Sequence, residues 1–82
     1  MQLEILTPEA RVFEGTVTAV SFPGIGGRFQ VLENHAPLIS ALGEGELRLE
    51  SAEGNKTVQI SSGFVEVLRN KVIVLIEGTI ND

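Results

Sequence analysis

The run Gly63-Phe64-Val65-Glu66-Val67-Leu68-Arg69-Asn70-Lys71-Val72-Ile73-Val74-Leu75-Ile76 reads as two strands and the turn between them. Val65 and Val67 lie on either side of Glu66, the period of two that sends alternate side chains to opposite faces of a strand. Asn70-Lys71 is turn chemistry. Val72 to Ile76 is apolar at every position, which marks a strand that is buried on both faces or that turns one face to a partner.

Working outward from this run, the same period recurs along the chain. Leu3 and Ile5 alternate with Gln2 and Glu4, Val17 and Ala19 with Thr16 and Thr18, and Phe29 and Val31 flank Gln30. Leu47 and Leu49 alternate with Glu46, Arg48 and Glu50, and Val58 and Ile60 flank Gln59. Turn residues separate the runs at Thr7-Pro8-Glu9, Glu14-Gly15, Pro23-Gly24, Gly26-Gly27, Gly43-Glu44-Gly45, Gly54-Asn55 and Ser62-Gly63. No window keeps the i, i+3, i+4, i+7 apolar spacing of a helix without a breaker. Between Thr16 and Phe22 the apolar phase slips from Val17 and Ala19 to Val20 and Phe22, which predicts a β-bulge turning the strand between two sheets. The expected architecture is all-β: one domain over residues 1–82, strung as a meander into a β-sandwich or flattened barrel.

Composition limits what such a domain does. The 82 residues carry 11 acidic and 6 basic side chains, a net charge of −5, and the basic residues are scattered. A nucleic-acid or anionic-membrane surface needs concentrated positive charge, so neither is expected as a partner. The absence of Cys suits a reducing compartment and removes disulfides as a staple for a small core. Met1-Gln2-Leu3-Glu4-Ile5 has neither a basic n-region nor a long apolar run, so no signal peptide or membrane insertion is expected. Four Phe without Trp or Tyr make a poor stacking surface for sugars or bases, which weighs against the competing reading, a free-standing small β-barrel that binds a ligand or protein.

The candidate chemical sites fail on context. Gly24-Ile25-Gly26-Gly27-Arg28 has the glycines of a phosphate loop but lacks the Lys-Ser or Lys-Thr opening a helix, and Phe29-Gln30-Val31 behind it reads as strand. It is expected to be a surface loop available for binding. His35 is the single histidine, and Glu33 beside it gives two ligands at most, too few for a metal. Ser61-Ser62-Gly63 lacks the Gly-x-Ser-x-Gly elbow of a nucleophile. Most of the carboxylates fall on the polar side of predicted strands. No catalytic residue, metal or cofactor is expected.

Gly27-Arg28-Phe29-Gln30-Val31-Leu32-Glu33-Asn34-His35-Ala36-Pro37-Leu38, followed by Ser62-Gly63-Phe64-Val65-Glu66-Val67, resembles the epsilon subunit of F-type ATP synthases. The resemblance runs through the whole chain in order, from the amino-terminal strand through Phe13-Glu14-Gly15, the Gly-rich loop, His-Ala-Pro-Leu and Gly-Glu-Leu-Arg to the Val-rich final strand. It implies a sandwich of about ten strands at the foot of the central stalk, turning with the rotor and helping to couple proton or sodium transport to ATP synthesis. By position, Thr7, His35, Leu38 and Ser40 would meet the gamma subunit, and Ile25, Gly26, Gly27 and Arg28 the c-ring. Arg28 is a departure, since some members of the family carry an acidic residue at that position. Many members continue into a two-helix carboxy-terminal hairpin that inhibits ATP hydrolysis and in some contacts nucleotide. This chain resembles a short form without the hairpin, so neither nucleotide binding nor hairpin inhibition is expected. The implied location is peripheral, on the cytoplasmic face of a bacterial cell membrane.

Overall fold

In the computed structural model, which describes residues 1–77, the alternating runs form nine β-strands and no helix. They are β1 (Gln2–Leu6), β2 (Arg11–Thr16), β3 (Ala19–Gly24), β4 (Gly27–Leu32) and β5 (Leu38–Leu42), then β6 (Gly45–Ser51), β7 (Gly54–Ile60), β8 (Gly63–Leu68) and β9 (Lys71–Ile76). The resemblance implies about ten strands; nine lie within the described residues.

The strands pair in the order β2-β1-β9-β8-β5-β3-β6-β7, with β4 on the other edge of β3. Two layers result. One is β2-β1-β9-β8-β5 and the other β4-β3-β6-β7, and the ladder between β5 and β3 is the single pair Gly24↔Leu42. Two further backbone bonds sew that corner, Ile25 N–H to Ala41 O (3.3 Å) and Gly43 N–H to Pro23 O (2.8 Å). At the far side, Lys56 of β7 lies 5.7 Å from the Phe13 ring of β2, so the two ends of the curled sheet approach each other. The connectivity departs from the expected meander: β1 runs parallel to β9, and β5 pairs with β8 while the β6–β7 hairpin crosses to the other layer.

Each layer buries the apolar half of its alternation. Leu3, Ile5, Val65, Val67, Val72, Val74 and Ile76 from one layer meet Val20, Phe22, Val31, Leu47, Leu49, Val58 and Ile60 from the other in one cluster. The phase slip after Thr16 is a strand break where the sequence pattern suggests a bulge. β2 ends at Thr16, Val17 N–H bonds Met1 O, Thr18 N–H bonds Glu50 O, and β3 begins at Ala19 in the opposite layer. Val17 thus closes over β1 before the chain crosses. The ladder irregularity lies in the β1–β2 pair, where Ile5 and Leu6 face Phe13 and Arg11 and Val12 of β2 is the extra residue. Arg69 and Asn70 both have positive φ (52° and 63°), the two-residue I′-type hairpin whose twist matches the flanking strands. The turn therefore sits one residue before Asn70-Lys71, since Leu68 and Lys71 already pair.

Candidate functional site

The β8–β9 hairpin has one face in the core and another that stays apolar in water. β8 alternates exposed and buried, so Phe64, Glu66 and Leu68 point outward while Val65 and Val67 point in. In β9, Ile73 and Leu75 point outward. Antiparallel register then puts Phe64 opposite Leu75 and Glu66 opposite Ile73. On the far side of β8, Ala41 faces Phe64 and Ile39 faces Glu66. β1, parallel to β9, adds Leu6 beside Leu75 and Glu4 beside Ile73. Two rows cross the four strands: Leu6, Leu75, Phe64, Ala41 and Glu4, Ile73, Glu66, Ile39.

Ile39 is 75% exposed, Phe64 60% and Leu75 53%. Side chains this large, adjacent on one sheet face and left uncovered, are the pattern of an interaction surface. At the Phe64 end the face deepens into a groove of about 410 Å³. Its walls are Leu6, Thr7 and Pro8 from the end of β1, Ile25 from the β3–β4 turn, and Phe64 with Leu75. The two carboxylates on the face differ. Glu4 is held by Arg11, with Nη2 at 3.1 Å and Nε also donating at 3.1 Å. Among the described residues no cation lies within salt-bridge reach of Glu66.

Thr7 is spent on its own turn, its Oγ1 accepting from Ala10 N–H (3.0 Å) and Glu9 N–H (3.2 Å), while it lines the groove. His35 lies at the opposite end. Its Nδ1 is 2.7 Å from Ala36 O, and it borders a shallow depression with Pro37, Leu68 and Arg69. Leu38 and Ser40 point to the inner side of β5: Leu38 packs on the core and Ser40 Oγ donates to Ala41 O (3.2 Å). Of the four gamma candidates, the structure therefore brings Thr7 to one end of the outer face and His35 to the other, and turns Leu38 and Ser40 away from it. Ile25 and Gly26 form the β3–β4 turn between the paired Gly24 and Gly27. Ile25 is exposed at its tip and shares the groove with Thr7, while Arg28 Nη2 donates to Ser21 Oγ (2.7 Å) across the hairpin. Of the c-ring candidates, Ile25 is thus contiguous with the apolar face, while Arg28 is engaged with Ser21 of β3.

Sequence reading did not single out Ile39 and Phe64. Phe64 carried a signal, since Gly63-Phe64-Val65-Glu66-Val67-Leu68 sets apolar residues on both faces of one strand. Ile39 carried none beyond following His-Ala-Pro-Leu.

The Met1 amine is buried and donates to Val17 O (3.0 Å) and to Glu33 Oε2 (2.6 Å). Asn70 Nδ2 donates to Glu33 Oε1 (3.0 Å) and Asn70 Oδ1 accepts from Asn34 N–H (2.8 Å). The amine bond first, and the Asn70 bond second, lower the Glu33 pKa below its ordinary 4.5. This network ties the loop before His35 to β1 and to the β8–β9 turn. Among the described residues no three His, Cys, Asp or Glu side chains gather as a metal site, and no helix is long and apolar enough to cross a membrane.

Two sheet layers around one apolar core, with one sheet face left apolar and uncovered among the described residues, define a small β-sandwich domain without a catalytic cluster on that face. The sequence model of the ATP synthase delta/epsilon chain, beta-sandwich domain, matches residues 1–82, and the chain belongs to that family. The ATP synthase epsilon chain of Chlorobaculum tepidum is 46% identical over 76 residues, spanning 92% of this chain and 86% of that protein. That of Maridesulfovibrio salexigens is 47% identical over 77 residues, spanning 92% of this chain and 53% of that longer protein. Among solved structures, a chain of the Euglena gracilis mitochondrial ATP synthase (OSCP, F1 and c-ring) superposes with a TM-score of 0.88 at 22% identity, over 95% of this chain and 51% of its own. A chain of the Tetrahymena thermophila mitochondrial ATP synthase central stalk and c-ring superposes at 0.82 and 12% identity, over 98% of this chain and 65% of its own. At these identities the likeness of the solved structures is one of fold.

Proposed function

We propose that the chain is a non-catalytic rotor subunit of an F-type ATP synthase whose β1-β9-β8-β5 face lies against the gamma subunit and whose β3–β4 turn meets the c-ring. The epsilon-chain relatives carry the first half of this reading and do not favour the free-standing ligand-binding alternative. The exposed Ile39, Phe64 and Leu75 carry the second.

Size argues for a footprint beyond the two rows. Four strands at ~4.8 Å spacing and five residues at ~3.3 Å cover roughly 300 Å² in projection. A specific interface takes about 800 Å² from each partner. The gamma footprint therefore takes in the ends of the face as well: the groove beside Thr7 and the loop at His35. With Ile25 on the wall of that groove, one end of the molecule serves both neighbours. Torque then passes through cross-strand hydrogen bonds rather than through flexible segments. Such a subunit is peripheral, on the cytoplasmic face of a bacterial membrane, and inserts nothing into it.

The experiment is retention of purified gamma subunit and detergent-solubilised c-ring on the immobilised chain. Both are expected to be retained, gamma alone tightly and the ring more firmly when gamma is present. Failure to retain purified gamma under conditions in which the chain is folded would overturn the docking reading.

A further inference from the structure

We infer that Glu66 is the electrostatic key of the docking face and is met there by a lysine or arginine of the gamma subunit. The inference rests on the docking reading above.

Glu66 occupies the middle of the apolar surface. Ile39 and Ile73 flank it across the strands, and Phe64 and Leu68 flank it along β8. Arg69 of the β8–β9 turn and Lys71, the partner of Leu68, border the same depression as Glu66, and no cation of the described residues comes within 4.0 Å of its carboxylate. Glu4, in the same row beyond Ile73, has Arg11 and needs nothing more.

In free solution this arrangement costs little because Glu66 is hydrated. Once a flat partner covers Ile39, Phe64 and Leu75, the water around Glu66 goes with theirs. A carboxylate stripped of water without a counter-charge is strongly unfavourable. Two outcomes are physically available. The partner brings a cation, in which case the carboxylate holds register and rejects partners that lack one. Otherwise it brings none, and Glu66 only weakens the complex. Among the described residues Glu66 is the carboxylate of this face without an ion-pair partner, and on a chain with net charge −5 it calls for the first. Arg69 and Lys71 add a demand on position, because the partner's cation must approach from the Ile39 side, away from both.

The two outcomes predict opposite signs, so binding of purified gamma to Glu66→Gln decides between them. With a cation opposite, Glu66→Gln should weaken binding at least tenfold and flatten its salt dependence, and Glu66→Lys should weaken it at least a hundredfold. Both substitutions are on the surface, and unchanged thermal melts verify that the fold is intact. Binding by Glu66→Gln that equals or exceeds that of the unaltered chain would overturn the inference. Phe64→Ala measured alongside separates this failure from the broader one. If Phe64→Ala weakens gamma binding and Glu66→Gln does not, only the electrostatic key falls; if the unaltered chain does not bind, the docking face falls with it.

Discussion

Replacing Phe64 by Ala separates docking from folding, because the side chain is divided between water and the sheet. A Phe side chain has about 200 Å² to bury. With 60% of it exposed, roughly 120 Å² remains for a partner to cover, and about 100 Å² after allowing for the alanine methyl. At ~25 cal/mol per Å² this is about 2.5 kcal/mol of binding, or roughly a 60-fold rise in Kd. The covered remainder, about 80 Å² against Leu75 and Ala41, contributes about 1–2 kcal/mol to folding by the same measure. For a domain of this size that lowers Tm by roughly 4–8 °C per kcal/mol. The assay is calorimetric titration of gamma at a temperature where both forms are folded, paired with thermal melts. Thr57→Ala, on the exposed side of the opposite layer, should leave Kd unchanged. The reasoning is refuted if Phe64→Ala lowers Tm as described and leaves Kd within twofold of the unaltered chain.

Leu47 is fully buried at the centre of the core, so Leu47→Ala should cost about 2–5 kcal/mol and appear as a lower urea midpoint with little change in slope. Gly63→Ala would drive a Cβ into the Leu75 carbonyl oxygen and crowd Ile76, forcing β8 and β9 apart. A loss of about 1–3 kcal/mol in the same assay is expected, and a neutral result would mean that the ladder gives way more easily than close packing allows. Glu33 has its pKa lowered in the folded state, so its pairing with the Met1 amine stabilises the fold above the ordinary value of 4.5 and is lost as pH falls through the lowered folded-state value. Glu33→Gln should therefore lower Tm near neutral pH and converge with the unaltered chain at acid pH; parallel Tm curves across that range would contradict this.

The interior was legible because burial follows a period of two. Leu3, Ile5, Leu47, Leu49, Val58, Ile60, Val65 and Val67 all fall on the buried side that their alternation implies. The apolar run Val72 to Ile76 left open a strand buried on both faces or one that turns a face to a partner; in the structure Val72, Val74 and Ile76 are buried, Ile73 is half-buried and Leu75 is exposed. Strand order was not legible. Whether β9 pairs with β8 alone or also, in parallel, with β1 is decided by which edges are free after collapse, and no local residue pattern encodes it. The break at Val17 and Thr18 mimicked a bulge because both shift the apolar phase by one residue. Of the site, turn chemistry exposed the Ile25–Gly26 tip, whereas the outward direction of Ile39 and the inward direction of Leu38 and Ser40 depend on the register of β5 against β8. A shift of one residue would exchange them.

The most direct test is photo-crosslinking in the assembled enzyme, with a photoreactive residue placed in turn at Ile39 on the docking face and at Thr57 on the opposite layer. Crosslinks to gamma from position 39 and none from position 57 are expected. Crosslinks to gamma from position 57 and none from 39 would put the stalk against the other side of the sandwich and contradict the account.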